Sequence, residues 1–415
     1  MYTLQGLLYA LLLLTGNPPS RPFPQHVSYQ AGTILPNHVS REEMDDSVRS
    51  FYNGWKKKYV RKGCASGEYY VWFGEPGNKQ CVSEGQGYGM MILALMAGYE
   101  DSAQSIYDGL FRYYRAHPAR TNPYLMAWAQ KKGCQDVDRT TATDGDLDIA
   151  YSLLLAHTQW GDQGAINYLE EGRKMIRAIL QQEINPRLFT TLLSDAIEPD
   201  SKDYSDMRSS DFIPAHFRAF RAATGDTAWS SAIGHVYGVF DYMVKTYSPE
   251  TGLVPDFIVH IREKASTPGA SAVAGAQPAP PNYLESRYDG RYNYNACRVP
   301  WRLAEDYLIY GSPESAAILQ KINHWIRTTT RGNPDNISAG YSLAGEDLPH
   351  RYFEALSFIT PFAVAAMADR TNQQWLNSLW DYIIHFRLKD FDYYDNSIKM
   401  IGLIMLSGNE WTPQQ

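Results

Sequence analysis

What most constrains the fold is that apolar stripes at helical spacing recur along nearly the whole chain, with no run of alternating strands to support a large sheet. Ser40 followed by Glu43 makes a capping box ahead of Met44, Val48, Phe51 and Trp55. Later stripes fall near 101–115, 164–181, 211–223, 227–247, 298–310, 314–328, 352–368, 373–387 and 393–406. The loops between them carry Gly, Pro and Asp, as in Thr224-Gly225-Asp226 and Gly311-Ser312-Pro313. With 415 residues, 44% hydrophobic and only 20% charged, the chain can bury a large core and is too apolar for disorder. The economical reading is an all-α chain of paired helices, a single domain over 22–415.

Residues 1–21 read as a leader. Leu7 to Leu14 are all apolar and precede Thr15, Gly16 and a proline-rich stretch. Such a run is too short to span a bilayer but suits the core of a signal peptide, so the protein is expected to be secreted, with no membrane association after export. No Lys or Arg precedes Leu7, which departs from the usual signal pattern.

The formal net charge, 38 minus 45, is −7, and no basic run is dense enough for nucleic acid. That balance serves solubility and would also suit a polycationic substrate. Cys64, Cys81, Cys134 and Cys297 allow three pairings if all are joined; Cys64 with Cys81 is the most local. There is no CxxC pair, no HExxH and no GxxxxGK[ST] loop, so neither a metal nor a cofactor is expected.

Two segments point to chemistry. Ser83-Glu84-Gly85-Gln86-Gly87-Tyr88-Gly89-Met90 sets one carboxylate among three glycines just before an apolar run. Glycines remove bulk and permit turns, and a helix start over apolar neighbours can desolvate the acid and raise its pKa, as a general acid requires. The same glutamate can equally cap the following helix. In Ala142-Thr143-Asp144-Gly145-Asp146-Leu147-Asp148, Thr143 suits an N-cap, and three aspartates are more than a cap needs. Leu147, Ala150, Tyr151 and Leu154 place this segment on a buried helix. Asp144 and Asp148 are four apart and share a face, so something polar should meet them.

The run from Ala142 to Trp160 resembles the signature of glycoside hydrolase family 8, and Ser83 to Met90 resembles the segment holding that family's catalytic acid. A third segment, Tyr292-Asn293-Tyr294-Asn295-Ala296-Cys297-Arg298-Val299-Pro300-Trp301-Arg302, is similar to its tyrosine-rich turn leading into an Arg-x-Pro-Trp-Arg helix. The resemblance runs from about Pro22 to the C-terminus, is nearest to the chitosanase and lichenase branch, and implies an (α/α)6 barrel with one cleft. Many members carry an aspartate base where this chain has Asn295. An amide cannot take up a proton at neutral pH, so Asn295 is excluded from that role. The chitosanase-like branch also has Asn there and draws its base from a glutamate in the preceding loop, which aligns with Glu285. Taken on its own, Glu285 reads as a solvated loop acid.

The resemblance thus implies Glu84 as acid, Glu285 as base and Asp144 as a third carboxylate that keeps Glu84 protonated and bonds a sugar hydroxyl. It implies substrate contacts at Glu75, Tyr88, Trp128, Tyr292, Tyr294, Asn295 and Arg298, with Trp72 as a further aromatic candidate. Thirty tyrosines and ten tryptophans supply flat faces on which sugar rings stack, although most aromatics serve the core. The Ala/Pro-rich stretch from Lys264 to Asn282 reads as a long, mobile excursion over the cleft that delivers Glu285. The expected function is an inverting endo-glycosidase acting as a monomer on β-1,4-linked polysaccharide. Chitosan is the first substrate, and mixed-linkage glucan or cellulose the alternative. Competing readings are an inactive carbohydrate-binding protein on the same barrel, which Asn295 keeps open, and a polysaccharide lyase, disfavoured because an acidic cleft repels uronates.

Overall fold

The computed structural model describes residues 17–74, 78–263, 273–349 and 352–413. Among these are twelve α-helices: α1 (Arg41–Tyr59), α2 (Ser83–Leu95), α3 (Ala103–Ala116), α4 (Thr143–Trp160), α5 (Tyr168–Gln182), α6 (Pro214–Thr224), α7 (Ala228–Tyr247), α8 (Val299–Tyr310), α9 (Pro313–Thr329), α10 (Leu356–Ala366), α11 (Gln373–His385) and α12 (Tyr393–Leu406).

They separate into two rings. Helices such as α3 and α5 are amphipathic, with an apolar stripe inward and charge outward. By contrast α2, α4 and α10 are buried on nearly every side, as helices enclosed by others must be. The even-numbered helices pack in sequence, α2 on α4, α4 on α6, α6 on α8, α8 on α10 and α10 on α12, and α12 returns to α2 to close the ring. Each odd-numbered helix covers an inner one: α3 lies on α2, α5 on α4, α7 on α6, α9 on α8, α11 on α10 and α1 on α12. The result is the (α/α)6 barrel that the resemblance implied, with one large apolar core reaching from Phe23 to Trp411. Strands are confined to two- and three-stranded ribbons in the loops, including Lys79–Val82 with Ala129–Lys131, and Met207–Arg208 with Phe257–Val259.

The capping box forms as read: Ser40 Oγ accepts from Glu43 N at 3.2 Å while Glu43 Oε2 accepts from Ser40 N at 2.7 Å. Other local expectations are corrected. The stripe at 352–368 becomes helical only at Leu356, because the Tyr352 carbonyl accepts from Ala339 N (2.8 Å) and Phe353 bridges Ser338 in an antiparallel pairing. Thr143 is not the N-cap of α4. Ala142 holds that place, and the Thr143 hydroxyl instead donates to the Leu192 carbonyl at 2.7 Å. Cys64 pairs with Cys134 across 70 residues, joining two surface hairpins, while Cys81 and Cys297 are free and buried. Cys81 was unavailable to Cys64 because its strand turns it into the core. From Asn17 the chain runs against the barrel, with Ser20 N donating to the Gln159 carbonyl at 2.9 Å and Phe23 buried.

Candidate active site

The segment Ser83–Met90 does not form a glycine turn. Helix α2 begins at Ser83, so Glu84 stands in its first turn and the glycines lie within the helix. Their purpose is helix approach: a Cβ on Gly87 would lie 2.6 Å from Asp148 Cβ, and one on Gly145 would lie 2.6 Å from the Ser83 carbonyl carbon. With those side chains absent, α2 and α4 meet backbone to backbone, and Glu84 and Asp144, each in a first turn, come to the same place.

Arg298 is what meets them. Its Nη1 donates to Glu84 Oε2 at 2.8 Å and to Asp144 Oδ2 at 2.7 Å. One turn on, Arg302 Nη2 donates to Asp148 Oδ2 at 2.6 Å, and His216 Nε2 lies 2.9 Å from Asp148 Oδ1. Two aspartates four apart on α4 therefore face two arginines four apart at the start of α8, which satisfies the polar partner their spacing demanded. The two carboxyls nearest the cleft are nonetheless driven apart. Burial pushes Glu84 up to about 7, with the Asp144 charge adding to it and Arg298 opposing. Burial also acts to raise Asp144, but Arg298 and Arg208 outweigh it and hold that carboxyl below its ordinary range. Such a pair can keep one proton near neutral pH while its neighbour stays ionised.

Glu285 joins this group from the opposite side. Its Oε2 accepts from Asn295 Nδ2 at 2.8 Å, and its Oε1 accepts from Arg208 Nη2 at 3.1 Å. Asn295 Oδ1 in turn accepts from Arg298 Nη2 at 3.0 Å. Glu285 and Glu84 are thus separated by two bridging side chains and do not touch. Glu285 is 46% exposed at its side chain against 17% for Glu84. The loop that carries it is tied down: buried Asp289 accepts from Leu284 N at 2.7 Å, Glu285 N at 3.0 Å and Ser286 N at 2.8 Å. Glu285 therefore stands on a hydrogen-bonded turn that follows the Ala/Pro-rich excursion expected to deliver it. Gln277–Pro278 also pairs with Phe257–Val259, while residues 264–272 lie outside the described residues. Asp256 holds the neighbouring turn, accepting from the backbone N–H groups of Asn293 (3.0 Å), Asn295 (3.1 Å) and Ala296 (2.7 Å).

The remaining sequence candidates divide. Trp128 and Trp72 are half-buried, each with a cation over its ring: Lys79 Nζ is 4.5 Å from the Trp128 centroid and Arg61 is 3.5 Å from that of Trp72. Tyr294 is 41% exposed, beside Asn295. Tyr88 and Tyr292 are fully buried and pack in the core. Tyr88 packs near Trp301, its hydroxyl 3.5 Å from Arg298 Nη1, and Tyr292 stacks on Phe362. Arg298 is also buried, and its partners are groups of the chain itself: the two carboxylates, Asn295 and the Ser210 hydroxyl, to which Nη2 donates at 2.8 Å. Glu75 lies outside the described residues. Sequence reasoning missed Tyr393, whose hydroxyl donates to Glu84 Oε1 at 3.1 Å, and the pair Arg208 and Asp211. A Tyr-Tyr doublet and an Arg-x-x-Asp spacing are too common to single these out. Among the described residues no group of His, Cys, Asp or Glu is arranged to hold a metal, and no helix is long and apolar enough to cross a membrane.

Comparison with known proteins agrees with this geometry. Residues 47–277 match the model of glycosyl hydrolases family 8. The chain is 42% identical over 397 residues to a beta-glucanase of Niallia circulans, covering 95% of this chain and 92% of that one. It is 41% identical over 404 residues to an endoglucanase of Bacillus sp. strain KSM-330, covering 95% and 82%. The apo structure of a beta-1,3-1,4-glucanase from Paenibacillus sp. X4 superposes with a TM-score of 0.88 at 42% identity, over 95% of this chain and all of that one. The more distant Rex8A from Paenibacillus barcinonensis, complexed with xylose, shares the fold alone, at 19% identity, a TM-score of 0.75, and 92% and 98% coverage. A helical ring whose two closest-packed inner helices deliver an acid and an aspartate to one arginine is thus the frame of a known hydrolase, and the chain belongs to glycosyl hydrolases family 8 as a glycoside hydrolase.

Proposed function

We propose that this glycoside hydrolase is an inverting endo-β-glucanase acting on glucans with β-1,4 linkages, including mixed β-1,3-1,4 glucan. Glu84 protonates the leaving oxygen, and Glu285 takes the proton of the attacking water. Asp144 stays ionised, bonds a sugar hydroxyl at the cleavage site and favours the protonated form of Glu84. The observation that carries the reading is the opposite displacement of Glu84 and Asp144 around one guanidinium, with a third carboxylate set apart from both. An inverting mechanism needs room for water between acid and base, with carboxyls roughly 6.5–9.5 Å apart. Two intervening side chains between Glu84 and Glu285 suit that requirement. Asn295, which cannot be the base, serves as the donor that orients it.

Glucan is preferred to chitosan: Lys79, which lies over the half-buried Trp128 ring, would repel a glucosamine ammonium there. The similar proteins named as glucanases and endoglucanases support the same choice. Reducing-end release from mixed-linkage glucan, carboxymethyl cellulose, xylan and chitosan tests it. Glucan cleavage is expected, and cleavage of chitosan alone would reverse the assignment. Proton NMR early in the reaction should show the inverted anomer, and a retained one would replace water activation by a covalent intermediate. No cleavage of any polymer despite oligosaccharide binding would favour the inactive carbohydrate-binding reading. Export is proposed on the apolar run Leu7 to Leu14, which lies outside the described residues, with a single protein copy as the working unit. Mass spectrometry of the secreted N-terminus and light scattering check these two points.

A further inference from the structure

We infer that Arg208 is the positioning residue of the base: clamped by Asp211 and the Phe257 ring, it holds the half-exposed Glu285 carboxylate in the orientation that activates water. The inference rests on the role proposed for Glu285. Arg208 stands in the short strand Met207–Arg208, directly opposite Phe257 in register. Its guanidinium carbon lies 5.3 Å from the centroid of that ring, which is wholly buried. On one side Nη1 is 3.5 Å from Asp211 Oδ2, and on the other Nη2 donates to Glu285 Oε1 at 3.1 Å.

An ion pair between two free surface side chains gains little, because both must be immobilised to form it. Here the cation is immobilised beforehand: the Arg208 side chain is 11% exposed and Asp211 is enclosed. Only Glu285 gives up freedom, and Asn295 takes its second oxygen at 2.8 Å. Each carboxylate oxygen has two acceptor directions, so both can be held while one remains for a water proton. The guanidinium keeps its charge at every working pH, so the donor is in place whenever Glu285 is ionised. Such enclosure also sets Arg208 apart from a residue that binds sugar directly.

The test is Arg208→Met, which keeps the aliphatic stem over Phe257 and removes the donors. On the polymer that wild type cleaves best, kcat is expected to fall about 10- to 100-fold, the range a misplaced catalytic group produces, with KM within about twofold, while the melting temperature drops because enclosed Asp211 loses its cation. Arg208→Lys should recover part of the loss. The double variant with Glu285→Gln should be no slower than Glu285→Gln alone, since Arg208 acts only through that carboxylate. Unchanged kcat in R208M, a change confined to KM, or losses that multiply in the double variant would each overturn the inference. If R208M does not fold, R208K and its double variant decide by the same criteria. A fully active Glu285→Gln would instead remove the base itself, whereas an inactive Glu285→Gln beside a normal R208M removes only the role of Arg208.

Discussion

The two sides of the cleft are built on different principles. Glu84 and Asp144 sit in the first turns of inner helices, and the helices themselves bury them. Glu285 sits in a loop between α7 and α8, nearly half exposed, and is aimed by Arg208 and Asn295. The acid needs a raised pKa, which requires desolvation, and a close helix pair provides that through the backbone. A base needs to stay ionised and meet water, which requires exposure together with a firm grip. On the proposed roles the site draws its acid from the barrel and its base from the loops, and the two should fail differently when altered.

The largest effect is expected on the barrel side. Glu84→Gln keeps the shape and removes the transferable proton, so hydrolysis should fall by at least the roughly 10² to 10⁴ that general acid catalysis supplies, with folding and oligosaccharide binding retained. Turnover near that of wild type would break the comparison outright. Wild-type activity should itself decline as pH rises through about 7, because Glu84 must hold its proton.

On the loop side, Glu285→Gln should be nearly inactive with melting temperature unchanged, since the residue is exposed, and Asn295→Ala should be milder. Azide added to Glu285→Gln is expected to restore part of the cleavage by replacing the activated water. An N295A as inactive as E285Q would mean that orientation matters as much as the base itself.

A smaller effect concerns how the acid side is held. Next to Asp144, buried Asp146 accepts from Met126 N at 2.9 Å, and Glu183 is pushed up to about 8, chiefly by burial, with the Asp195 charge adding to it and the Thr141 hydroxyl opposing. A carboxyl raised in the folded state favours folding while protonated. Its contribution is complete below its ordinary value of 4.5 and is lost as pH rises through about 8. Glu183→Gln should therefore flatten the fall in melting temperature between about pH 5 and 8, and identical slopes in variant and wild type would exclude that role. Smallest of all, Tyr393→Phe removes a hydrogen bond that lowers the Glu84 pKa. The alkaline limb of the pH profile should move up by a fraction of a unit, with kcat reduced less than tenfold. A downward shift would give Tyr393 a different part.

Much of the fold was legible because each helix announces its buried face at a local period. The capping box at Ser40, the succession of apolar stripes and the Asp144/Asp148 spacing all follow from contacts within one or two turns. Where neighbours compete for the same backbone, the reading failed: Phe353 bridges Ser338, the Tyr352 carbonyl accepts from Ala339 N, and Thr143 turns to Leu192. Glu84 and Asp144 were identifiable from motif and chemistry. That Tyr88, Tyr292 and Arg298 are buried was not legible, because a motif records residue types but not which way they point.

By itself the sequence determined the helical class, the carboxylates on α2 and α4, and that Asn295 cannot be a base, since these depend on residue type and local spacing. Only the tertiary structure decided that Gly87 of α2 serves helix packing, that Cys64 joins Cys134, and that burial raises Glu84 while Arg298 and Arg208 hold Asp144 down. It also decided that Arg208, some seventy-seven residues from Glu285 along the chain, is the cation beside it. Burial and charge act through distance in space, and the chain brings those groups together only when the ring closes.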